Sequence, residues 1–75
     1  MKPEEVTSIE RLKGERPDLY QLYQEHLAYE RRLDQLNTLS FLLPEEETER
    51  KRLRKLKLQG MDQMAAILRE CEATT

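Results

Sequence analysis

The sequence predicts an all-α protein: an antiparallel, coiled-coil-like helical hairpin with a short N-terminal helix, completed into a bundle by dimerisation. Three observations predict it. Apolar residues recur at alternating steps of three and four along two long stretches. Only residues 40–43 separate those stretches, so the helices must fold back antiparallel. Finally, the 75 residues are 37% hydrophobic and 37% charged, with two Gly and three Pro. A single domain of that size gains no more than about 3–5 kcal/mol from its core unless a disulfide, a metal or a second subunit contributes.

The first helix is expected over about residues 3–13. Pro3 suits a first helical position, Glu4 and Glu5 complement the positive helix end, and Gly14 suits the stop. A rival start lies at Thr7, where Thr7-Ser8-Ile9-Glu10 fits a capping box. Val6, Ile9 and Leu12 form a short apolar stripe.

The second helix is expected from Pro17 to about Leu39. Leu19, Leu22, His26, Tyr29, Leu33 and Leu36 keep one seam toward a partner helix. Ser40 to Leu43 reads as a turn, after which Pro44 and Glu45, Glu46 and Glu47 open a third helix running to about Glu72. Its seam is Leu53, Leu56, Gly60, Met64, Ile67 and Cys71. A second stripe of Leu58, Met61, Ala65 and Leu68 lies beside it, matched on the second helix by Tyr20, Tyr23 and Leu27 before Glu30 and Asp34 end the pattern. Antiparallel pairing places this surplus at the open end, away from the turn. The expected cover is the first helix together with a second copy of the chain, which nominates Tyr20, Tyr23, Leu27, Leu58, Met61 and Leu68 for self-association.

Pro17-Asp18-Leu19-Tyr20, Tyr23-Gln24-Glu25-His26, Leu33, Leu53-Arg54-Lys55-Leu56-Lys57-Leu58 and Asp62 resemble the YdcH family of short bacterial, mostly cytosolic proteins. The resemblance spans roughly residues 5–70. It implies a self-associating helical hairpin and supplies no reaction to carry over. Two departures stand out: Gly60-Met61-Asp62 where the family usually carries Leu-Lys-Asp, and an apolar turn, Phe41-Leu42-Leu43, where the family's is polar.

Bulk composition removes several function classes. Phe41-Leu42-Leu43 is the longest apolar run, far short of the roughly 20 residues of a membrane span. Cys71 is the single cysteine, so no internal disulfide is expected and a reducing, cytoplasmic setting is. His26 and Cys71 cannot make a four-ligand zinc site, and the first residues lack the apolar segment of a secretory signal. No metal and no cofactor are expected. A net charge of −2 gives no general case for nucleic acid.

The residues with chemistry to offer are few. His26 reads either as a pH switch or general base, or as an interfacial histidine bonded near Tyr23 or across the seam. Arg50-Lys51-Arg52-Leu53-Arg54-Lys55-Leu56-Lys57 holds six basic residues without interleaved aromatics, which gives bases no stacking platform. Glu46 before Arg50 and Glu47 before Lys51, together with Glu30 and Asp34 of the neighbouring helix, are expected to neutralise it as a solvated face. The alternative is that Arg50, Lys51, Arg54, Lys55 and Lys57 dock on an acidic protein or RNA. Gly60 reads either as a point of close helix approach that receives Tyr29 or Leu33, or as a local flaw in the helix. Phe41, Leu42 and Leu43 are expected to fold back over the hairpin end, with an exposed partner-binding patch as the alternative. Cys71 near a helix C-terminus is a poor thiolate. A non-enzymatic structural or protein-interaction module follows, since no nucleophile–base pair or carboxylate pair has a pocket.

Overall fold

A computed structural model describes residues 2–73, with side chains through Cys71. Within it the chain forms α1 (Pro3–Arg11), α2 (Pro17–Asn37) and α3 (Pro44–Ala73). Each proline begins its helix, where a missing N–H costs nothing. α2 and α3 pack along their length as an antiparallel pair, and α1 docks on α2, giving a body of 48 × 18 × 16 Å.

Local chemistry sets the helix ends within about two residues of the sequence reading. The Lys2 N–H donates to the Glu5 carboxylate at 3.4 Å, so α1 starts at Pro3 and not at Thr7. Thr7 and Ser8 instead return their hydroxyls to the Pro3 and Glu4 carbonyls at 3.0 Å. At the hairpin turn the Thr38 hydroxyl donates to the Gln35 carbonyl at 2.7 Å and closes α2. The Leu43 N–H donates to Glu46 Oε1 at 2.9 Å and opens α3, a use of Glu46 that its expected pairing with Arg50 did not include.

Ile9, Leu19, Met64 and Leu68 form the buried centre, with Leu12, Tyr20, Leu22, Tyr23, Met61 and Ile67 packed around them. The first helix therefore covers the open end, as expected. Full burial of Ile9 alone stabilises the docked helix by about 1.5–3 kcal/mol. Lys13 reinforces the junction with Nζ 4.7 Å from the centre of the Tyr20 ring. Toward the turn, Leu33 and Leu36 complete the α2 seam.

Two packing expectations are corrected. A Cβ built on Gly60 meets no atom within 4 Å, so no side chain is drawn close there. Gly60 lines a shallow groove with Leu22, Tyr29 and Leu56. The turn does not fold back as a plug either: Phe41 is 76% exposed and Leu43 53%, with Leu42 half-buried. The residues from Thr38 to Leu43 are spent crossing from the end of α2 to the start of α3, which leaves too little chain to reach back over Leu36.

Candidate interaction surfaces

Burial divides the hairpin in two. At the open end α1 covers the second apolar stripe, so Leu68 is buried in the core and Tyr20, Tyr23, Leu27 and Met61 are half-buried. Leu68 is thus removed from the surface proposed from sequence for self-association. Among the described residues the large exposed apolar side chains are Leu39, Phe41, Leu43 and Leu58, and none lies beyond the midpoint of α3 on the open-end side.

Leu58, 62% exposed, belongs to a groove of about 450 Å³ between the long helices. Glu30, Leu33, Asp34 and Asn37 of α2 form one wall, and Arg54, Lys57, Leu58 and Met61 of α3 the other. Met61 also packs against the core, so the groove floor continues the covered stripe beyond the reach of α1. Leu58 and Gly60 are two residues apart and therefore about 200° around the helix, which puts the two grooves on opposite sides of the hairpin.

The ion pairs differ from those the spacing suggested. The Arg32 guanidinium donates to both Glu49 oxygens at 2.9 Å, tying α2 to α3 near the turn. That contact holds the Glu49 carboxyl below the ordinary carboxylate range and raises Arg32. At the other end Arg16 grips Asp18 through Nε at 3.1 Å and Nη2 at 2.9 Å, lowering Asp18, while its Nη1 lies 3.5 Å from Glu70. Arg16 also reaches Cys71 Sγ at 3.9 Å.

The basic stretch is left without its expected neutralisation. Among the described residues no carboxylate lies in ion-pair range of Lys51, Arg52, Arg54, Lys55 or Lys57. Lys51, Arg52, Arg54 and Lys55 are exposed, Lys57 is half-buried, and Arg50 turns inward with Nε buried and unpartnered. Glu30, expected to face this stretch, is instead taken by His26.

His26 is 2% exposed, and its Nε2 faces the Glu30 carboxylate one turn along α2. Its Nδ1 is buried without a hydrogen-bond partner. The pairing runs along the helix, not to Tyr23 or across the seam. No nucleophile adjoins the imidazole in any of these contacts. Sequence spacing alone did not single out the Leu58 groove, though the Glu30 and Asp34 break in the α2 stripe marks one of its walls.

Among the described residues no group of three or more His, Cys, Asp or Glu side chains is placed to hold a metal ion. No helix of these residues is long and apolar enough to cross a membrane. No family model, curated protein or solved structure matches the chain.

Proposed function

We propose that the chain is a non-enzymatic structural or protein-interaction module that acts through self-association, in a reducing, cytoplasmic setting. The observation that carries this reading is the placement of exposed apolar surface: Leu39, Phe41, Leu43 and Leu58 all lie at the turn or the hairpin midpoint, while α1 covers the open end. A chain this small has little burial to spare, and Leu58 left in water in a groove continuous with Leu33 and Met61 offers apolar surface for another helix to cover. The YdcH-like kinship belongs to the same proposal and offers no reaction.

Light scattering across a concentration series tests it. The mass should rise above the 9.0 kDa of one chain, and Leu58→Arg should return the monomer with its helix content unchanged. A wild-type mass of one chain up to millimolar concentration refutes the reading.

The unpaired, exposed Lys51, Arg52 and Lys55 favour a second reading, docking on an acidic surface such as an acidic protein or RNA. Binding that falls steeply with salt and is lost in Lys51→Glu/Lys55→Glu supports it, and salt-independent or absent binding refutes it.

A further inference from the structure

The groove carries its charges in a pattern that fits its own copy. Its α2 wall is acidic, Glu30 then Asp34, and its α3 wall is basic, Lys57 then Arg54. Because the helices run antiparallel, each acid stands level with a base across the groove. Yet no ion pair closes across it within one chain: Glu30 turns to His26, and Asp34, Arg54 and Lys57 find no ion-pair partner among the described residues.

We propose that a second copy of this chain seats on the groove, its basic α3 wall over this acidic α2 wall, about a two-fold axis running along the hairpins. The proposal rests on the self-association argued above and adds its geometry. A two-fold contact must pair the same patch with itself. Rotation about an axis along the hairpins lays α2 over the partner's α3, so that Asp34 meets Arg54 and Glu30 meets Lys57 twice over. Rotation about an axis across the hairpins lays α2 on α2 in reverse and sets Glu30 and Asp34 against the same two acids of the other copy. Like charges so placed cost far more than matched ones. Between the charged walls Leu33, Leu58 and Met61 supply the apolar floor that the second copy covers.

The sense of the pairing has a consequence for shape. Both turns lie at the same end. α1 thickens the same face at the open end, so the copies approach most closely in their turn halves and diverge beyond Met61. Phe41 and Leu43 of the two copies are thereby brought beside each other.

Charge exchange and one distance test this. Asp34 and Arg54 are both exposed, so their variants should keep the wild-type circular dichroism spectrum. Asp34→Lys or Arg54→Glu alone should raise the dimer dissociation constant about tenfold, since each creates two repulsive contacts per dimer. Asp34→Lys/Arg54→Glu on one chain should restore it. Spin labels at the exposed Glu45→Cys, in a Cys71→Ser background, should lie within about 30 Å of each other, against about 40 Å for reversed copies, since Glu45 stands about 19 Å along α3 from the middle of the groove at roughly 1.5 Å per residue. Single variants that dimerise like wild type, or labels at the longer distance, overturn the geometry and leave self-association standing. A wild-type chain that stays monomeric overturns both.

Discussion

Replacing Gly60 by Ala should stabilise the protein. Gly60 sits in the interior of α3, where glycine costs about 1 kcal/mol relative to alanine because its backbone loses more freedom on folding. A Cβ there meets nothing within 4 Å, so no clash subtracts from that gain. The methyl enters the mouth of the groove lined by Leu22, Tyr29 and Leu56, which is too open to return the full value of about 0.8 kcal/mol for a buried carbon. The expected gain is therefore close to the propensity term, about 1 kcal/mol, or roughly 4–8 °C in melting temperature for a domain of this size. Urea unfolding followed at 222 nm should show a higher midpoint with an unchanged slope, since the surface exposed on unfolding is the same. Both proteins must be compared at one concentration, because the proposed self-association would shift apparent stability by mass action. Gly60 lies on the side of α3 opposite Leu58, so the proposed association through the Leu58 groove should be unaffected. A midpoint at or below wild type would refute the reasoning, because it would mean that Tyr29 or Leu33 does close on Gly60 as the sequence suggested.

Four further outcomes follow from burial and charge. Ile9→Ala should cost about 2–5 kcal/mol, because it empties the centre of the α1 contact; increased proteolysis between α1 and α2 reports the undocking. Phe41→Ser and Leu43→Ser should change the stability of the dilute protein by less than about 0.5 kcal/mol each, since neither side chain covers the core; a loss of several times that in thermal melts would reinstate the plug. His26→Leu removes a buried Nδ1 that has no partner and keeps the seam filled, so chemical denaturation should show stability unchanged or raised; a loss beyond about 1 kcal/mol would mean that the contact with Glu30 matters more. Glu49 and Asp18 titrate below their unfolded values, so their contribution is complete above the ordinary carboxylate range and is lost as pH falls through their lowered folded values. An acid titration should accordingly show Arg32→Gln flattening the decline below about pH 4.

The long helices were legible because their burial has a period. Leu19, His26, Leu33 and Leu36 are buried on the seam that the three-and-four spacing marks, and the three prolines fall at the helix starts. The apolar side chains of α1 were legible as a cover for the open end. What the spacing did not reveal depends on direction and distance in space. Gly60 is a seam position by count, but whether a neighbour approaches it depends on how the helices are separated at that level. Phe41 and Leu43 are apolar by type, yet the chain that holds them is spent in reversing direction. Glu30 could have faced the basic helix or its own helix, and the side chain one turn back settled it.

The groove follows from the length of α1. Nine residues of helix span about 14 Å, whereas the hairpin body is 48 Å long. A cover that short, tied to the start of α2 by the residues after Arg11, can close the face only at the open end. Beyond Met61 the same face must be polar or shared. The sequence supplies both conditions at one place: charge on each rim, and Leu58 and Leu33 between them. Leu58 is 62% exposed in mid-helix, so most of its apolar surface is left for something outside the hairpin to cover. Its position beside walls of opposite charge that leave each other unpaired fits the proposed second copy. An extended first helix would occupy the same surface that the proposed second copy needs, so the length of α1 and the open groove are consistent with one arrangement.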